Sequence, residues 1–308
     1  MATMNSHRYR RLLVRLMWSI TGINYADDHV FSQEELLNVT PDDIVAFFNL
    51  LVFGDKVPPP NAQPTGGRSN TLAFHKKAIS HFMPRRGMQW DDVDMRGNPT
   101  RSTAVNNLLK AVKKAEVRHQ GKASEARRHL EWTEFKNILE LIATALPSGH
   151  MKQARFRAII TTQWHLCARI NDVQKITVEN FSANELLPRT LLIKMRWSKN
   201  IAEEREAPTQ IILGSMDPHV CPLLALAAYL ECVLSAEGAG RSSFVFGNGR
   251  DGDTFARSIL SRIFAMDDFV SSNPDEPLGT HSVRKGVATY AGRAGCSRDH
   301  INMCGRWH

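Results

Sequence analysis

Residues 281–308, HSVRKGVATYAGRAGCSRDHINMCGRWH, limit the folds open to this chain more than any other stretch. His281 and Arg284 stand three apart where a helix starts. Val283, Val287, Ala288, Ala291 and Ala294 follow at helical spacing, which predicts one apolar, buried face. Gly295 is expected to stop that helix, Ser297 to cap a short second one, and Gly305 to stop the second. Arg306, Trp307 and His308 come directly after. A buried helical hairpin with His and Arg at one end and Arg-Trp-His at the other brings two polar clusters together. Such a pair suits an oxyanion: Arg offers a bidentate fork, and imidazole and indole N–H groups add single donors.

A chain of 308 residues is long for one core and predicts two domains. Its basic excess is uneven. Residues 1–122 hold 17 Lys/Arg against 11 Asp/Glu, net +6, whereas residues 123–308 hold 22 against 20, net +2. A basic N-terminal domain points to a polyanion, with nucleic acid ahead of an acidic membrane surface. The five Cys are scattered without a C-x-x-C pair, no signal peptide is apparent, and no apolar run is long enough to span a membrane. The expectation is a reduced, soluble, intracellular protein.

Along the N-terminal part, residues 6–20 read as a basic amphipathic helix. Thr40-Pro41 starts a helix that is apolar nearly all round through Phe53. Residues 56–70 form a Pro/Gly-rich loop, helix returns at Thr71–Phe82, and a last helix runs from Ser102 to Val117. In that last helix Val105, Leu108, Leu109 and Val112 form the buried stripe. Lys110, Lys113, Lys114 and Arg118 lie on the wet side, an arrangement suited to tracking backbone phosphates or simply to solvation. The polar stretch 120–128 reads as a linker. The expected domains are therefore 1–122, all-helical, and 123–308.

In the second domain, helices are expected from Trp132 and over Met151–Cys167, followed by Arg169 among apolar neighbours. A buried Arg needs an anion, and Asp172 offers a structural ion pair as the plain alternative to a site. Residues 191–197 and 206–213 read as two strands with Lys199 at the turn, and His219-Val220-Cys221-Pro222 caps a helix to Leu234. Gly247-Asn248-Gly249-Arg250-Asp251-Gly252 fits G-x-G-x-x-G but lacks a following strand, so no dinucleotide cofactor is expected. His/Cys pairs at 165/167, 219/221 and 300/304 match no standard zinc spacing, so no metal is expected either.

HSVRKG, an Ala-rich helix, RAG, a short helix and G-R-W together resemble the C-terminal half of the active site of tyrosine recombinases, the phage-integrase family. The resemblance implies a mainly α fold with a small β-sheet (α+β): an all-helical core-binding domain before a catalytic domain. It also assigns roles. Arg169 and Arg284 would clamp the two non-bridging oxygens of a DNA phosphodiester, and Asp172 would orient Arg169. His281 and Trp307 would add hydrogen bonds, and Lys199 would protonate the departing 5′ oxygen, with Lys194 and Lys175 as weaker substitutes. Five positions of the family's pattern are thus filled in order across residues 169–307.

In that family a Tyr roughly nine residues past the Trp attacks the phosphorus and forms a 3′-phosphotyrosyl bond. The sequence ends one residue after Trp307, so residues 1–308 are expected to bind duplex DNA but not to cleave it unaided. The family acts as a tetramer on two sites, without metal, because arginines take a cation's role. Two other readings stand beside it: a recombinase-derived DNA-binding protein without catalysis, and a helical scaffold whose basic face meets an acidic partner.

Overall fold

The computed structural model describes residues 2–196, 208–236, 243–247 and 253–307, with side chains from residue 6 onward. The chain divides into two compact units, Met1–Ser124 and Glu125–His308. It is mainly α-helical with one small antiparallel sheet.

The first unit is helical: α1 (Ala2–Thr21), α2 (Gln33–Leu37), α3 (Pro41–Phe53), α4 (Ser69–Phe82) and α5 (Thr103–Val117). Thr40 caps α3 with Pro41 in its first turn, as the sequence predicts, and Asp43 completes a reciprocal capping box with Thr40. Ile44, Phe47, Phe48 and Val52 bury one side of α3 against Leu16, Leu72, Ile79 and Val105 from the other helices. Val45, Leu51 and Phe53 pack half-buried around that core, which accounts for an apolar surface on nearly every side.

The second unit is built on α6 (Trp132–Ala145) and α7 (His150–His165), whose residues from Phe156 to Trp164 are almost all buried. Short α8 (Ile170–Gln174) follows. A three-stranded meander comes next: β1 (Phe181–Ala183), β2 (Leu191–Lys194) and β3 (Thr209–Ile212). The chain closes with α9 (Pro222–Leu234), α10 (Thr254–Phe264), α11 (Thr280–Arg293) and α12 (Arg298–Gly305). Cys221 caps α9, its sulfur accepting from the Leu224 N–H at 3.5 Å.

Three details depart from the sequence expectations. The helix expected to reach Cys167 stops at His165, because Cys167 takes left-handed backbone (φ 49°) and turns the chain into Arg169. The apolar stripe of α11 is buried at Val283 but exposed at Ala294, since the last turn of α11 extends past the core. Gly305 ends α12 from within; the residue that reverses the chain is Arg306, with φ 53°. The strand β1, three residues long, carries too little periodicity to be read from sequence.

A strap at residues 127–131 holds α11 in place. The Leu130 N–H donates to Ser282 O at 3.0 Å, and the Arg128 N–H to Pro277 O at 3.1 Å. Lys285 Nζ donates to Arg127 O at 2.5 Å. The strap itself is pinned by a buried fork in which Arg128 donates to both oxygens of Glu134, at 2.7 and 2.5 Å, and to Ser271 Oγ at 2.8 Å. Helix α11 can lie this close to the strap because residue 286 is Gly: a Cβ there would run into Leu130 O and crowd the Trp164 ring. Gly286→Ala is therefore expected to lower stability by about 1–3 kcal/mol, the cost of overpacking a tight contact. Urea unfolding measures it, and an unchanged midpoint would contradict the account.

Burial alone would raise the Glu134 carboxyl, but the Arg128 fork and the N–H groups of Glu131 and Ser272 outweigh it and hold it at about 2. A folded value below the ordinary 4.5 adds stability that is complete above that pH and lost as pH falls through 2. Glu134→Gln should thus cost about 3 kcal/mol at neutral pH, by breaking a buried pair. It should also flatten the acid limb of the stability curve followed by circular dichroism. Parallel acid limbs for variant and wild type would rule this out.

Candidate active site and nucleic-acid face

Arg169 is the N-cap residue of α8, so its side chain leaves the helix start half-buried, with Asp172 one turn on. Its Nη1 lies 3.7 Å from Asp172 Oδ2. The same oxygen lies 3.9 Å from Nη2 of Arg306, which is 4% exposed. Arg306 also donates to Gln210 Oε1 on β3 and approaches the Met195 sulfur, both at 3.2 Å.

Arg284, in the first turns of α11, is buried, with its guanidinium 4.4 Å from the centre of the Trp307 ring. Its Nη2 donates to Gly305 O, while its Nε–H has no hydrogen-bond acceptor among the described residues. Burial first, and then the neighbouring charge of Arg169, bring Arg284 down to about 10; Arg306 adds to this, while Cys167 and Asp172 oppose it. Burial likewise lowers Arg306, against the pull of Asp172.

Arg169, Asp172, Arg284 and Trp307 therefore share one locality. His281, exposed at the start of α11, joins them. Its imidazole is lowered by desolvation first, then by the charges of Arg127 and Arg284 and, more weakly, Arg169, against Asp253.

What brings Arg169 and Arg284 together is a residue the sequence reading passed over. Gln163, fully buried on α7, donates from Nε2 to Thr280 O at 3.0 Å and to Ala168 O at 3.4 Å, tying the starts of α11 and α8 to one side chain. Cys167 adds a second tie, its Sγ donating to Arg284 O at 3.8 Å. Gln163 sits amid apolar helix residues, so a lone buried amide was the one available signal. Gly305 completes the cluster: a Cβ there would collide with the Trp307 indole.

Lys199, His308 and most of the G-x-G-x-x-G stretch lie outside the described residues. Lys175 is the C-cap of α8 and Lys194 ends β2. The four Tyr stand elsewhere: Tyr290 packs on Trp132 and Trp164, Tyr229 stacks on Phe246 in the core, and Tyr9 and Tyr25 belong to the first unit.

In the first unit Lys110, Lys113, Lys114 and Arg118 are all exposed on α5 and its C-cap. The one acid of that helix, Glu116, turns inward and caps α4, accepting from the Ser69 N–H at 2.5 Å and pairing with Arg68 at 3.2 Å. The outer face of α5 and its C-cap thereby keeps four cations, while the helix's one acid lies on the inner face. Beside it, a groove of about 500 Å³ between α4 and α5 is lined by Lys76, Lys77 and Arg101.

Because burial and then the surrounding cations lower His281, a bound anion that offsets those charges should raise it, so anion binding takes up a proton. Sulfate, whose charge is constant from about pH 8 to 5, should bind more tightly as pH falls through the ordinary histidine range of roughly 6.5. His281→Asn should remove most of that slope in calorimetric titrations. An equal slope in the variant would show that His281 does not face the anion.

No protein-family model and no curated protein matches the sequence. Solved structures do resemble it. The XerH site-specific recombinase bound to a palindromic difH substrate in a post-cleavage complex superposes with a TM-score of 0.56. That match spans 97% of this chain and 71% of that one at 12% identity. The Tn1549 transposon integrase in complex with a circular intermediate DNA gives a TM-score of 0.55 over 87% and 77% of the two chains, also at 12% identity. Likeness at such identities concerns the polypeptide path alone, and the fold of this chain is that of the tyrosine recombinases and integrases.

Proposed function

We propose that the chain is a DNA-binding protein of the strand-exchange class, whose second unit grips a phosphodiester between Arg169 and Arg284. The single observation that carries this is the buried Arg284: its Nε–H lacks an acceptor among the described residues, and no ion pair among them neutralises its guanidinium, on which the field of Arg169 outweighs that of Asp172. A buried donor without an acceptor costs about 1–3 kcal/mol, which an incoming anion offsets. A purely structural Arg is expected beside its own acid.

Charge balance favours a reacting phosphate over a resting one. Three guanidiniums (Arg169, Arg284, Arg306) against the one carboxylate of Asp172 leave the described cluster at formal +2. A phosphodiester carries one negative charge, and the five-coordinate state reached on attack carries two. The excess therefore stabilises the transition state more than the ground state. The reaction this suits is in-line transesterification: a tyrosine hydroxyl gives up its proton, with His281 able to assist, as its oxygen forms a bond to phosphorus, the P–O5′ bond breaks, and the leaving oxygen takes a proton. By the resemblance that proton comes from Lys199, and His281 and the Trp307 indole N–H hold the equatorial oxygens. The phosphotyrosyl bond keeps the energy of the broken ester, so rejoining needs no ATP. In the first unit, the outer face of α5 would run along the DNA backbone through Lys110, Lys113, Lys114 and Arg118.

Two measurements test the reading. Duplex DNA binding should weaken with salt, and alanine at the four α5 positions should flatten log K against log salt by about 3–4, near 0.9 per lost phosphate contact. Orthovanadate, which adopts five-coordinate geometry, should bind the protein, and Arg169→Ala or Arg284→Ala should weaken it by roughly a hundredfold, the scale of losing an oxyanion donor. DNA binding indifferent to salt, or vanadate binding unmoved by either substitution, would defeat the proposal. Binding of an acidic protein that survives both arginine changes would favour the scaffold reading instead.

A further inference from the structure

We infer that Arg306 is the positioning residue of this site: it holds Asp172 and the β3 strand so that Arg169 faces the phosphate held by Arg284. The inference rests on the phosphodiester reading above and concerns a residue that touches neither the phosphate nor the leaving group.

Backbone geometry makes the first argument. Arg306 adopts φ 53° and ψ 46° at the end of α12. A left-handed residue that is not Gly is strained, and Gly would make the same reversal without strain. The side chain must therefore contribute something that Gly cannot. It is 4% exposed, as buried as the apolar residues around it.

Its contacts make the second. One guanidinium faces three segments of the second unit: its Nη1 contacts Gln210 Oε1 on β3 and the Met195 sulfur just past β2, both at 3.2 Å, and its Nη2 lies in ionic contact, beyond hydrogen-bond distance, 3.9 Å from Asp172 Oδ2 on α8. These are the segment that carries Arg169 and the two strands whose connection carries Lys199. A planar fork can hold divergent acceptors in fixed directions, which an ammonium on a flexible stem cannot. Arg306 and Arg169 approach the same oxygen, Asp172 Oδ2, so the position of that carboxylate beside Arg169 depends on both. Its own αL turn also sets the next residue, Trp307, against the Arg284 guanidinium.

Arg306→Lys keeps the charge and removes the fork. It should weaken orthovanadate binding by about tenfold, the scale for losing a partner that orients a ligating group, and shift the side-chain Nε–H resonance of Arg169 in nitrogen-15 spectra. Thermal stability should change little. Arg306→Gly, which relieves the backbone strain, should show the same loss of binding even where its melting temperature matches wild type; a merely structural residue would instead have binding follow stability. Unaltered vanadate affinity in both variants overturns the inference while leaving the phosphodiester reading standing. If wild type itself fails to bind vanadate, the phosphodiester reading falls, and the Arg169 resonance then decides the positioning role alone: moved by Arg306→Lys supports it, unmoved refutes it.

Discussion

Taking a guanidinium out of water costs several kcal/mol unless an anion goes with it. The second unit places two arginines, Arg284 and Arg306, almost fully inside and a third, Arg169, half inside, around one carboxylate. Arg284 meets a carbonyl, an indole face and the field of another arginine in place of an acid. Such an arrangement is stable only because the surrounding fold supplies the difference. The rest of the second unit can be understood as what keeps these like charges from moving apart.

Three devices do so, none of them charged at the point of contact with the cluster. Gln163 clamps the carbonyls at the starts of α8 and α11 from within α7. Gly286 lets α11 settle onto the strap at Leu130, and the buried Arg128–Glu134 fork keeps that strap from yielding. Gly305 leaves room for the Trp307 ring against Arg284. Two neighbouring arginines of the strap thus take opposite directions. Arg128 turns inward to a carboxylate and serves the fold, whereas Arg127 lies across Gly279 and adds its charge to the surroundings of His281. Position relative to a carboxylate, not residue type, separates the two.

The first unit solves a different electrostatic problem. Its α5 face keeps four exposed cations because Glu116, which could neutralise them, is spent on capping α4 and pairing with Arg68. An ordinary solvated helix face interleaves its charges; this one sorts them. Such sorting is what a repeating line of phosphates requires, and it needs no directional contact to act.

Much of this was legible in the chain itself. Thr40-Pro41, Ser297 and Gly295 mark helix ends because capping and left-handed backbone are local chemistry, decided within four residues. The apolar stripes of α5 and α6 follow from periodicity, and the His281/Arg284 pair is picked out by its resemblance to a family motif. Sequence could also nominate Arg169, since an Arg set among apolar residues must find an anion. It could not say whether Asp172 alone answers that need, because Arg284 and Arg306 stand 115 and 137 positions away, and only packing brings their charges into the same cluster. For the same reason Gln163 and Arg306 stayed in the background: a buried amide and a strained turn acquire meaning from the segments they join. The sequence by itself determined which groups were available and which helices would carry them. Tertiary structure alone decided that two of the positive groups would share one carboxylate with a third buried close by, because electrostatic energy depends on distance in space, and distance along the chain does not record it.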